Sequence, residues 1–208
     1  MSLKQEAKIL IGLILALYII ILILAFFEPF NNPLQLLIRL FALFGLTSMF
    51  IATIMTSFMV KLYKLFGKPF IKIHHLFSIS GIILISLHPV FFAIDISSTA
   101  VFIPKFDSWL IFWELAGRPA LYLIYIAIIA GILNSKYKKI PKYWRYIHGL
   151  NYIALFFGVI HGILIGTDFQ NPIILIIFIS MLVLSYGTLL FKRYQKYQRL
   201  KNKKVSQQ

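Results

Sequence analysis

The chain has 208 residues, 60% of them hydrophobic and 13% charged, whereas a soluble domain of this size carries about 25% charged residues. Cysteine is absent, which excludes disulfides, thiolate metal sites, Cys-ligated iron–sulfur clusters and c-type haem attachment. The net charge of +15 would point to nucleic acid in a soluble protein, but the placement of these charges excludes nucleic acid and points to a lipid bilayer.

Six apolar stretches are each long enough, or nearly so, to cross a hydrocarbon core of about 30 Å as a helix of ~20 residues. They predict an all-α fold, a six-helix transmembrane bundle in one membrane domain over 1–208, with spans near 9–27, 36–60, 70–94, 117–134, 146–167 and 171–191. Lys4 and Lys8 ahead of the first run would suit a signal peptide. However, the run from Ile9 to Phe27 exceeds an ordinary h-region and no small-x-small site follows it, so it reads as an uncleaved helix. Turn chemistry separates the spans: Glu28-Pro29 with Asn31-Asn32-Pro33, then Gly67-Lys68-Pro69, Ile140-Pro141, and Asp168 through Asn171-Pro172. The longest loop runs from Asp95 to Arg118, and its stretch Trp109 to Glu114 is amphipathic, as a short interfacial helix would be. Residues 192–208 read as a tail, whose basic residues from Lys192 to Lys204 suit anionic headgroups or an acidic partner.

Charge asymmetry predicts the orientation. The amino terminus, the linkers 61–72 and 135–145 and the tail hold 18 of the 21 Lys and Arg residues, with Glu6 as their one acid. The opposite side carries Arg39, Lys105 and Arg118 against Glu28, Asp95, Asp107, Glu114 and Asp168. By the positive-inside rule both termini are expected in the cytoplasm, in a multi-pass protein of the cell membrane.

All five histidines fall in two spans: His74, His75 and His88 in the third, His148 and His161 in the fifth. Ionisable groups within a bilayer are costly and mark function. His74 and His88 are 14 residues apart, a rise of ~21 Å and a rotation about 40° short of four turns, so both point from nearly one face at two depths. His148 and His161 are 13 apart, a matching rise of ~19.5 Å but about 140° short of four turns. That mismatch predicts a kink near Gly149, Gly158 or Gly162, or ligand planes that differ between the sites. His75 to His88 is also 13, so spacing leaves His74 and His75 both open as the inner ligand.

Two cross-helix imidazole pairs at two depths are what two bis-histidine haems require. A proton relay or a hard-metal site would call for carboxylates at mid-membrane depth, and none falls there. Copper(I) with Met49, Met55 and Met59 would draw on methionines of the second span alone, where packing accounts for them. Histidines that merely pack remain the alternative. For haem propionates, Lys72, Lys142 and Arg145 are placed at the inner site and Arg39 and Arg118 at the outer, although each also suits an ordinary interfacial anchor. Phe77, Tyr152 and Phe157 are candidate haem-facing aromatics.

The pattern resembles the ferric-reductase-like transmembrane domain family, which includes ferric reductases, NADPH oxidases and the haem subunit of the methionine sulfoxide reductase system. The likeness rests on His74-His75-Leu76-Phe77-Ser78 leading to Leu87-His88-Pro89. It rests equally on Trp144-Arg145-Tyr146-Ile147-His148-Gly149-Leu150-Asn151-Tyr152 leading to His161-Gly162 and the Gly166-Thr167-Asp168 turn, with Gly117-Arg118-Pro119 weaker. It spans about residues 40–190 and implies two haem b groups ligated by His74, His88, His148 and His161. The family's usual glycine four residues after the first histidine is Ser78 here, and the residues after the sixth span read as a tail, so the flavin or nicotinamide domain of the family's reductases and oxidases is not expected in this stretch. The expected function is therefore di-haem electron transfer with no catalytic residue of its own. The donor would be a flavin reductase supplying FMN or FAD, or a quinol, and the acceptor a molecule or protein on the outer face. A non-redox transporter or structural bundle is the alternative from another class.

Overall fold

The structure, a computed structural model, describes residues 5–67, 70–137 and 143–205. Among these residues every regular element is helical. In chain order they are α1 (Gln5–Phe27), α2 (Pro33–Met55), a 3-10 turn (Thr56–Phe58), α3 (Met59–Phe66), α4 (Phe70–Asp95), a 3-10 turn (Thr99–Phe102), α5 (Trp109–Glu114), α6 (Gly117–Tyr137), α7 (Trp144–His148), α8 (Leu150–Ile165), a 3-10 turn (Thr167–Gln170) and α9 (Pro172–Val205). Six stretches among them are long and apolar enough to cross a membrane: α1, α2 continuing into α3, α4, α6, α7 with α8, and α9. The protein is a multi-pass membrane protein of the all-helical class.

Local chemistry starts these helices where the turn residues stand. The Asn32 side chain caps α2 by accepting the Gln35 N–H at 2.9 Å, Gln35 Oε1 accepts the Asn31 N–H, and Pro33 takes the first turn, where its missing N–H costs nothing. Ser108 caps α5 in the same way through the Ile111 N–H. At the other end of the second span Gly67 closes α3 in the left-handed region (φ 61°), with its N–H on the Tyr63 carbonyl, a conformation that favours glycine.

The second span is the hub. In its best membrane-length window 61% of residues are buried, against 28% or less in the other five, which face lipid with much of their surface. The core groups Phe50 of α2, Phe178 and Ile174 of α9, Leu155 and Val159 of α8 and Ile21 of α1. Helix–helix attraction in lipid depends on close packing, and glycine supplies it here. A Cβ at Gly45 would lie 2.7 Å from the Ile85 backbone nitrogen, so α2 and α4 touch main chain to main chain. Hydroxyls buried in α2 bond back along the helix, Thr47 to the Leu43 carbonyl and Ser48 to that of Phe44, as a water-free interior demands.

Several bounds differ from expectation. The second span runs on through the 3-10 turn to Phe66, so much of the expected 61–72 linker is helical. The fifth is split at Gly149 into α7 and α8. The stretch expected as a tail is helical: α9 continues to Val205, because its Lys, Arg, Gln and Leu are good helix formers once out of the apolar zone. The segment expected as a short interfacial helix is α5, with its Trp109 and Leu110 exposed and Phe106 exposed just before it. Lys4, the Lys68-Pro69 part of one expected turn, the Ile140-Pro141 turn and Lys142 lie outside the described residues.

Candidate functional site

Four of the five histidines turn into the bundle and form two pairs. His74 on α4 and His148 at the end of α7 have ring centroids 6.4 Å apart, with their planes at 69°. His88 on α4 and His161 on α8 both line a cavity of about 330 Å³. His75, next to His74, is exposed, with Leu76 and Ile79 beside it on the outer face of α4.

Each inward ring has its Nδ1 within hydrogen-bond distance of a main-chain carbonyl on a neighbouring element. The acceptors are Ala52 for His74 (3.2 Å), Ile38 for His88 (3.0 Å), Ala127 for His148 (2.9 Å) and Glu114 for His161 (2.5 Å). A carbonyl only accepts, so Nδ1 must carry the proton in all four rings, and Nε2 is left with the lone pair that binds metals. This is the arrangement that fixes tautomer and ring orientation of metal-bound histidines. The geometry is matched along the chain. Ile38 and Ala52 stand 14 residues apart, as do His74 and His88, while Glu114 and Ala127 stand 13 apart, as do His148 and His161. Two antiparallel couples each hold their histidines at a constant offset.

The local sequence makes these carbonyls accessible. Where α2 tightens into its 3-10 turn, the Thr56 N–H turns to the Thr53 and Ile54 carbonyls and leaves that of Ala52 to His74. Glu114 is the last residue of α5, and the Arg118 N–H goes to Leu115 instead, so the Glu114 carbonyl is open to His161. On α6 a Cβ at Gly131 would fall 3.3 Å from His148 Nδ1, and one at Gly117 would fall 2.7 Å from His161 Cδ2. Both imidazoles thus rest where a neighbouring helix has no side chain. The break at Gly149, where the Tyr152 N–H bonds the Gly149 carbonyl, adds a tighter turn between His148 and His161. Such a turn rotates the chain further per residue than an α-helix and offsets part of the azimuthal shortfall.

The donor set can be tested against the group it would hold. With metal–imidazole bonds of about 2.0–2.1 Å and a ring nitrogen about 1.1 Å from its ring centre, two imidazoles sharing one metal can have centroids as far as about 6.2–6.4 Å apart. The inner pair stands at 6.4 Å. Among the described residues no three His, Cys, Asp or Glu side chains converge, as a bare ion would need. Paired imidazoles would instead suit a metal that arrives in a group with further donors of its own. The outer cavity has room for a flat group, because Ala42, Ala120, Ala154, Gly158 and Gly162 are among its walls. Of the groups expected from the sequence, haem is the one that paired imidazoles with small residues beside them would suit.

The remaining candidates are placed as follows. Arg39 lines the outer cavity, but its guanidinium binds both oxygens of Asp168 (2.6 Å at the closest) and the carbonyls of Ala25, Glu28 and Pro29, which makes it a clasp across three loops and helix ends. Arg118 also lines the cavity and donates to the Ile103 carbonyl at 2.6 Å. Arg145 is exposed and lies over the Trp144 ring, and Lys72 is exposed. Phe77 packs against the core, Tyr152 meets Tyr186, and Phe157 meets Phe112 and Trp113, and none of the three lines the outer cavity. Phe92, Phe102, Tyr122 and Phe169 do, and sequence reasoning missed them. Phe92 stands one turn beyond His88, and Phe169 directly follows the Gly-Thr-Asp turn, which were the available signals. Comparison with protein-family models, with curated proteins and with solved structures finds no match to this chain.

Proposed function

We propose that this protein carries electrons across the membrane and holds two b-type haems, one between His74 and His148 and one between His88 and His161. The observation that supports the reading most is the set of four inward imidazoles in two cross-helix pairs, each with Nδ1 on a main-chain carbonyl. When bound, haem supplies an iron that takes up and returns one electron in place. The chain supplies the rest. Its imidazoles are held in the ligand tautomer, its apolar helices keep water and competing ligands away, and its small residues leave a slot beside His88 and His161. The ~21 Å rise from His74 to His88 along one helix sets the pairs at two depths. The likeness to ferric-reductase-like membrane domains supports the same assignment.

Orientation and donor belong to the proposal. The basic end is read as cytoplasmic, and its excess of Lys and Arg would steer an anionic donor, a reduced flavin or an acidic flavoprotein face, toward the inner pair. The acceptor lies on the opposite side. The test is haem extraction with a dithionite-reduced minus oxidised spectrum of the purified protein. Two non-covalent, low-spin haems per chain are expected. A ratio near zero would overturn the reading, and a ratio near one would remove one pair. In sealed proteoliposomes, reduced flavin on the basic side should reduce both haems. Reduction by a quinol analogue with flavin inert would replace the proposed donor.

A further inference from the structure

A second cavity, of about 260 Å³, opens at the basic end of the bundle, where the second span breaks. Residues 56–61 form one wall and Thr188, Phe191, Lys192 and Gln195 of α9 the other. Its polar half holds Lys61, Lys192, Gln195 and the hydroxyl of Ser57. Ser57 is only 7% exposed, and among the described residues its side chain makes no hydrogen bond. No Asp or Glu stands among the described lining residues, so the two lysines have no counter-charge in the cavity itself. Lys61 Nζ lies 6.0 Å from the centre of the Phe58 ring. The other half is apolar and faces outward: Phe58, Met59, Val60 and Phe191 are 38%, 50%, 69% and 58% exposed.

Two cations, an amide and the unbonded hydroxyl of a largely buried serine call for an oxyanion, and the adjoining lipid-facing surface calls for hydrocarbon. We propose that this cleft binds an anionic phospholipid, with its phosphate between Lys61 and Lys192 and on the Ser57 hydroxyl, and its chains along Phe58 and Phe191. Basic pockets between spans on the cytoplasmic side recognise such headgroups. The occupied cleft would also brace the Thr56–Phe58 turn, the turn that leaves the Ala52 carbonyl to His74.

Native mass spectrometry of the purified full chain, loaded with phosphatidylglycerol or phosphatidylcholine, tests this without reference to haem. Phosphatidylglycerol should be retained in preference to phosphatidylcholine. The double variant Lys61→Gln, Lys192→Gln should lower its retention about thirtyfold, and Lys196→Gln with Lys201→Gln, outside the cleft, should change it less than about twofold. Ser57→Ala keeps both charges and should lower retention about tenfold, which decides the matter if the lysine variant aggregates. Equal retention of phosphatidylcholine, or an equal loss in the control pair, would overturn the site. Displacement of the lipid by millimolar inorganic phosphate would make it a site for the free anion instead.

Discussion

Gly117→Ala probes the proposed outer haem site with one methyl group. The added Cβ would stand 2.7 Å from His161 Cδ2 and 2.9 Å from Nε2, against an ordinary contact of 3.4 Å or more. The ring must therefore move by roughly 0.7 Å, beyond the ~0.5 Å within which a ligand constellation works. Overpacking costs about 1–3 kcal/mol and loss of the bond to the Glu114 carbonyl about 1 kcal/mol more, so haem affinity at this site should fall roughly 30- to 700-fold. Gly131→Ala is the internal comparison. Its Cβ would lie 3.3 Å from His148 Nδ1, a contact that a few tenths of an ångström relieve, so the inner haem should be nearly unaffected. The assay is haem per chain after exposure to an excess of a haem-scavenging protein, with low-spin bands followed in parallel. Two retained haems in Gly117→Ala, with unchanged bands and the same rate of loss as the unaltered protein, would refute the claim that backbone contact sets the outer ligand.

Two further outcomes are expected. His74→Ala should remove the inner haem and spare the outer one while His75→Ala changes little, as read from haem stoichiometry; the reverse result would place His75 at the site. Arg39→Gln leaves Asp168, 7% exposed, without its partner, which costs about 3–5 kcal/mol and should lower the thermal midpoint in detergent by about 10 °C. Arg39→Gln with Asp168→Asn should recover part of that fall, and a single-variant shift under about 2 °C would show that the clasp carries no such load.

The apolar runs and their turn residues made the six spans legible, and the amphipathic Trp109–Glu114 stretch made α5 legible. The histidines were legible as a two-helix set because spacing along a helix translates directly into depth. What was hidden is instructive. Spacing alone left His74 and His75 open, whereas the structure has His74 beside His148 and His75 exposed. Hydropathy marks where a helix leaves the apolar zone, not where it stops, so the charged stretch of α9 and the extension through α3 were missed. Phe77 and Phe157 stand close in sequence to histidines, but rotation about the helix decides which aromatics face the outer cavity, and there it selects others such as Phe92. Arg39 read as a propionate partner or an interfacial anchor, because its partner Asp168 is 129 residues away.

The four imidazole acceptors are main-chain atoms, and that has an evolutionary consequence. A carboxylate that orients a histidine is lost by one base change, whereas no side-chain replacement at positions 38, 52, 114 or 127 deletes a carbonyl. Selection at those positions falls on bulk and helix geometry alone. A replacement at any of these four positions can therefore change the side chain and leave the ring its acceptor. Vulnerability is concentrated at the histidines themselves and at the small residues, Gly117 above all, that let the rings reach the backbone.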